Sequence, residues 1–179
     1  MTIRTCLCLI TRPAADGSSE RGPRVLLGFK KTGFGAGRWV GLGGHIEEGE
    51  KPAQAAVREV AEESGLVVLP DSLSHMASLT FVFPARPSWD QTAEVFVTTQ
   101  FEGQPAESDE LIPQWFAIGE LPFDGMWDDA RYWLPIVLGG ERVTAKVTFA
   151  DDCATVSSID PELRPAAPRP AAPGPAADF

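Results

Sequence analysis

The chain has 179 residues, enough for one domain around a single core and too few for two full ones. Its 25 Asp and Glu outnumber its 15 Lys and Arg, for a net charge of −10. That excludes a protein gripping duplex DNA by neutralising phosphates, yet leaves room for a small polyphosphate ligand held through divalent cations. Three cysteines without paired spacing exclude a disulfide framework. No apolar run approaches the roughly 18 residues of a membrane span. The polar start Met1-Thr2-Ile3-Arg4 lacks the apolar stretch of a secretion signal, so the cytoplasm is the expected compartment, with neither nucleic acid nor membrane as partner.

In chain order, Arg4 to Arg12 reads as a strand in which Cys6 and Cys8 share one face, as small buried apolar residues rather than thiolate ligands. A Gly- and Ser-rich loop from Pro13 to Pro23 leads to a second strand, Arg24 to Lys30. Six glycines between Gly33 and Gly44 predict irregular backbone suited to close approach. Pro52 suits a first helical turn, no breaker follows before Ser64, and Gly65 sits at a C-cap position, which predicts a helix over 52–64. Further strands are expected at Ser78 to Phe83, Glu94 to Phe101, Gln114 to Ala117, Arg142 to Phe149 and Thr155 to Ser158, with a loop at Pro84 to Trp89. A second helix, Asp128 to Leu138, is signalled by Tyr132, Trp133, Ile136 and Val137 and disturbed by Pro135. Residues 1–160 thus read as one mixed α/β domain, and the Pro- and Ala-rich stretch 161–179 as a disordered tail without chemistry.

Glu59, Glu62 and Glu63 fall along one face of the first predicted helix, opposite apolar Ala56, Val57, Val60 and Ala61. Like charges at this spacing oppose helix formation, so the face is either fully solvated or a site for a hard cation that needs oxygen ligands. The glycine-rich segment before the helix favours the cation, because fixed backbone groups and a carboxylate face together make a phosphate-cleaving metal site.

Gly44, Glu50, Arg58-Glu59-Val60, Glu62-Glu63 and Gly65-Leu66, in this spacing, resemble the signature box of the Nudix family at every defined position. A chance match at a given start is below roughly one in ten million. The resemblance implies an α/β/α sandwich around a mixed sheet, hydrolysis of a nucleoside diphosphate linked to another moiety, and Mg²⁺, with Mn²⁺ as a substitute. It implies Glu59, Glu62, Glu63 and the Gly43 carbonyl as metal ligands, Glu59 or Glu63 as base, and Arg58 as a structural partner of Glu50.

Beyond the box, RVLLGFKKTGFGAGRW, ESDEL and LPFDGMW are similar to the MutT-like branch that hydrolyses oxidised purine nucleoside triphosphates such as 8-oxo-dGTP or 2-oxo-dATP, releasing the monophosphate and pyrophosphate in nucleotide-pool sanitation. That likeness implies Glu110 as a further catalytic, metal-site carboxylate. Thr5, Lys30, Phe34, Leu42, Gly43, Gly44, Phe81 and Trp127 would line the nucleotide pocket, in a chain expected to be monomeric. Read alone, Phe34, Phe81 and Trp127 are equally core aromatics. His45 lies either near the phosphates or in solvent, and His75 has no role.

The chain departs from the branch at two places. Val40 replaces an asparagine that reads the purine edge, and Asp128-Asp129-Ala130 stands where paired aspartates read the base, so either Asp129 alone or Asp128 with Asp129 fills that role. Loss of such a contact predicts retained hydrolysis with relaxed or shifted base preference. Nudix enzymes of dinucleoside polyphosphates, NADH and ADP-ribose carry downstream signals absent here: Tyr132 is the only tyrosine and lies far from the box, and Thr80 fills the slot of the ADP-ribose group's proline. A non-catalytic Nudix-fold nucleotide-binding module is the alternative of a different class, and such modules usually lack box glutamates, all present here.

Overall fold

The computed structural model describes residues 2–14 and 22–164. In chain order the elements are β1 (Ile3–Arg12), β2 (Arg24–Lys30), β3 (Trp39–Val40), α1 (Pro52–Ser64), β4 (Ser74–Val82), β5 (Gln91–Thr98), β6 (Leu111–Ala117), α2 (Ala130–Leu138), β7 (Val143–Phe149) and β8 (Val156–Asp160), with short 3-10 turns between some of them. The strands form one sheet in the order β3-β2-β1-β5-β4-β7-β8, and β6 pairs with β2. The sheet is mixed: β1 runs parallel to β5 and β4 to β7, while the other pairs are antiparallel.

Period-two alternation sends successive side chains to opposite faces. Leu9, Val25, Leu27, Leu79 and Val95 pack with Trp133, Leu134 and Val137 of α2. Cys6, Cys8, Ile10, Leu26 and Phe96 pack with Ala55, Ala56 and Val60 of α1. The result is the expected α/β/α sandwich, a helix on each face. Burial pushes the Cys6 thiol up to about 11 and Cys8 to about 12, so both remain inert apolar fillers.

Helix α1 has the expected bounds because both ends are signalled locally. Pro52 starts it, the Lys51 N–H donates to Gln54 Oε1 at 3.1 Å, and Gly65 closes it in a left-handed cap. The second helix begins two residues later than expected, at Ala130, since Asp128 bonds elsewhere and Asp129 serves as N-cap. Several strands differ from the expected extents. β4 starts at Ser74, so His75 lies within a strand, and a bulge follows it. β5 runs Gln91–Thr98 and stops where the Gln100 N–H bonds the Thr98 hydroxyl. β6 extends back to Leu111 through Pro113, which is tolerated because, among the described residues, the strand pairs only with β2. Within the stretch expected to be wholly irregular, Trp39 and Val40 pair with Phe29 and Gly28. Most of the predicted loop at 13–23 (residues 15–21) and the tail beyond 164 lie outside the described residues. No helix among the described residues is long and apolar enough to cross a membrane.

Candidate active site

β1 pairs with β2 only over Ile10–Arg12, which leaves the edge of its first half open. The glycine-rich segment fills it. Cys8 N–H donates to the Leu42 carbonyl at 2.6 Å, Cys6 N–H to the Gly44 carbonyl at 2.9 Å, and Ile46 N–H to the Arg4 carbonyl at 2.9 Å. This approach demands missing side chains: a Cβ on Gly43 would sit on the Cys6 carbonyl, and one on Gly44 would lie 2.5 Å from the Glu59 carboxylate. The segment therefore lies directly against the acidic face of α1.

Arg58 ties the two together. Its Nε and Nη2 donate to Glu50 Oε1 and Oε2 at 3.1 and 2.9 Å, Nη2 also reaches the His45 carbonyl at 2.9 Å, and Nη1 donates to Glu59 Oε1 at 2.8 Å and Glu62 Oε2 at 3.3 Å. The fork geometry suits a carboxylate clip, and it holds the Glu50 carboxyl below the usual range. Glu63 is 2% exposed; the Gly43 N–H donates to its Oε2 at 2.8 Å, and Lys30 Nζ lies 3.5 Å from its Oε1. Burial pushes this carboxyl up to about 7, against the opposing pull of the Gly43 N–H and Lys30. Lys30 also stands 3.7 Å from exposed Glu110, so its single ammonium faces two carboxylates.

The carboxylates and main-chain carbonyls at this place are oxygen donors, which suits a hard divalent cation. The bare Gly44 backbone leaves the Glu59 carboxylate room, and the carboxylates draw on Lys30 and Arg58 for counter-charge. In the geometry seen, no three acidic, His or Cys side chains among the described residues converge tightly enough to hold an ion. Glu59 and Glu62 lean on Arg58 while Glu63 leans on Gly43 and Lys30.

A cavity of about 540 Å³ runs from this acidic face across the end of β1 to α2. Glu59, Glu62, Glu110, Lys30, Gly43, Gly44 and His45 line one end, with Thr5, whose hydroxyl donates to the Thr92 carbonyl. Phe34, Val40, Phe81, Trp127 and Asp129 line the other, among apolar residues that include Trp39, Met126, Ala130 and Leu134. Two expected pocket residues are not there. Leu42 is fully buried in the core beneath α1, because its place beside β1 turns it to that face. Asp128 accepts the Val156 N–H at 2.9 Å and pairs with Arg131 at 3.0 Å, on the side of β8, so the aspartate facing the cavity is Asp129 alone.

Asp129 is buried, and Trp133 Nε1 donates to its Oδ2 at 2.7 Å. Burial pushes its carboxyl up to about 6, with the Trp133 bond pulling the other way. Sequence reasoning missed Trp133 as a site residue, although its offset of four on a helical pattern could have paired it with Asp129. It also missed Arg38, whose guanidinium lies 4.3 Å from the Trp127 ring centre, and nothing in the local spacing signals that contact. Phe34, half in solvent, stacks on Trp127 at 5.1 Å.

Comparison with known proteins places this geometry. The NUDIX domain family matches residues 10–136. The oxidized purine nucleoside triphosphate hydrolase of Danio rerio is 47% identical over 70% of this chain and 79% of its own length. The protein of that name from Mus musculus is 41% identical over 75% and 84%. Among solved structures, a MutT protein from Bacillus halodurans superposes with a TM-score of 0.69 over 89% of this chain and 99% of its own, at 22% identity, a likeness of fold. The chain therefore belongs to the Nudix hydrolases, enzymes that generally act on nucleotides with divalent metal ions.

Proposed function

We propose that the chain hydrolyses oxidised purine nucleoside triphosphates such as 8-oxo-dGTP or 2-oxo-dATP to the monophosphate and pyrophosphate, and so cleanses the nucleotide pool. One observation carries this reading: a single cavity joins an aromatic end with one buried carboxylate, Asp129, to an end lined by Glu59, Glu62 and Glu110. The first suits a planar base and the second a phosphate chain, and the names of the 41–47% identical relatives agree with that pairing.

Mg²⁺, replaceable by Mn²⁺, would be held by Glu59, Glu62, Glu63, Glu110 and the Gly43 carbonyl, and when bound it neutralises the phosphates and activates the attacking water. Glu63 or Glu59 would serve as the base that accepts the proton of the attacking water. Arg58 fixes the loop to the helix through Glu50, and Lys30, freed from Glu63, faces the phosphate chain. Thr5 and His45 flank that chain, while Phe34, Phe81 and Trp127 enclose the base and Asp129 accepts from its edge. The catalytic unit is residues 1–160, acting as a cytoplasmic monomer, and residues 161–179 have no catalytic part.

Initial rates across normal and oxidised nucleoside triphosphates, with products identified, test the reading. No hydrolysis of any of them with Mg²⁺ would overturn it in favour of a binding module. Val40 and Ala130 support relaxed base preference, because both place apolar surface in the cavity where a hydrogen-bonding partner would discriminate. Under that reading the kcat/KM ratio of 8-oxo-dGTP to dGTP stays well below about a thousandfold, since each lost base contact removes about 1–3 kcal/mol of discrimination. A larger ratio refutes it.

A further inference from the structure

Trp127 stands between two hollows. With Phe34 it lines the large cavity, and with Arg38, Trp89 and Arg86 it lines a neighbouring hollow of about 360 Å³. Phe34 borders only the first and Arg38 only the second, so Arg38 meets the indole from the side away from the cavity. Its guanidinium carbon lies 4.3 Å from the ring centre, within the range of a cation–π contact, and its Nη1 donates to the Met126 carbonyl at 3.2 Å. Two consecutive residues of the cavity wall are thus held by one side chain.

The anchor is itself fixed. The Lys30 N–H donates to the Arg38 carbonyl at 2.9 Å, and the Arg38 N–H donates to the Gly35 carbonyl at 3.1 Å, which pins the arginine backbone to the end of β2. Among the described residues no carboxylate forms an ion pair with Arg38, although Asp151 and Asp152 border the same hollow. A planar guanidinium that lies on an indole while bonding the adjacent carbonyl fixes both the tilt of the ring and the path of the main chain. Two residues further on comes Asp129, whose carboxyl Arg38 also influences electrostatically.

We propose that Arg38 is a positioning residue for base binding, clamping Met126 and Trp127 from outside so that the indole, with Phe34 stacked on its cavity side, keeps a fixed place in the cavity wall. This inference rests on the large cavity being the nucleotide pocket. Arg38 touches neither the acidic end nor, from its side of Trp127, the base, so it acts on the base only through other residues of the cavity wall, chiefly through the placement of Trp127.

The test compares the full chain with Arg38→Ala and Arg38→Lys. It uses steady-state hydrolysis of 8-oxo-dGTP with Mg²⁺, fluorescence-monitored binding of 8-oxo-dGMP, and inhibition by inorganic pyrophosphate, which needs only the acidic end. Arg38→Ala is expected to raise both KM and the Kd for the monophosphate about tenfold, with kcat changed by less than about twofold. Arg38→Lys, whose ammonium can also lie on an indole, recovers to within about threefold of the parent. Pyrophosphate inhibition stays unchanged in both, which a merely loosened fold would not allow. Unchanged KM and Kd in Arg38→Ala, a fall in kcat at constant KM, or parallel loss of pyrophosphate inhibition would each overturn the assignment. If the unaltered chain neither hydrolyses nor binds purine nucleotides, the pocket reading itself fails and the inference goes with it.

Discussion

Glu63 carries two demands that conflict. Enclosed between Gly43 and Lys30, its carboxyl is pushed up by burial to about 7, while its proposed part in holding a metal needs the charged form. With metal chelated, the folded chain holds a proton at this site more tightly than the unfolded chain does. Stability linked to Glu63 is therefore fully present below the ordinary carboxylate value of about 4.3 and is lost as pH rises through about 7. Glu63→Gln, which keeps the shape without the charge, should gain stability relative to the parent over that window, by on the order of 1–3 kcal/mol at the alkaline end. Urea unfolding of both chains at several pH values in chelator measures this, and a pH-independent difference would count against it. The sequence disclosed Glu63 as part of the box but not its burial, because burial depends on the Gly43 N–H and Lys30, 20 and 33 residues away. Asp129 shows the same limit. Only the structure separates it from Asp128, which the main chain of β8 claims.

At the scale of elements, α1 was legible because its signals are local: a proline to begin it, a glycine to end it and an apolar face between. β6 begins three residues before its expected start because Pro113, which disfavours a strand in the middle of a sheet, is tolerated where the strand pairs on one side, and that is a fact of topology. The glycine segment is a place of close approach, with a different kind of neighbour at each of two positions. At Gly43 the neighbour is backbone, the Cys6 carbonyl, which cannot move without disturbing β1. At Gly44 it is the Glu59 side chain, which can swing away. The two alanine substitutions should therefore fail differently. Gly43→Ala is expected to cost about 3 kcal/mol or more in stability, as overpacking against main chain does. Gly44→Ala should cost no more than about 1 kcal/mol, yet lower kcat at least tenfold by turning a proposed metal ligand aside. Thermal melts and turnover of the two proteins separate these outcomes; equal losses of stability would refute the distinction.

For the whole molecule, the sheet divides the work. The glutamates of α1 lie on one face with the core of Cys6, Cys8 and Ile10, while Trp127 and Asp129 sit with α2 against Leu9 and Leu79 on the other. The cavity joins the two at the end of β1, and among the described residues no hydrogen bond or ion pair links Trp127 or Asp129 to the box glutamates. Sites that share no partner contribute independently, so losses in log kcat/KM should add. Trp127→Ala removes a proposed stacking surface for the base, which would be worth about 1–3 kcal/mol, and should act mainly through KM. Glu63→Gln removes a proposed ligand of the chemical step and should act mainly through kcat. The double variant is then expected to show the product of the two fold-losses to within about twofold, the tolerance of an additive pair. A clear shortfall would mean that base placement and metal chemistry are coupled through the bound nucleotide, since the protein provides no direct connection between those residues. Measuring all four chains with one substrate at saturating metal decides between independent ends and a single cooperative site.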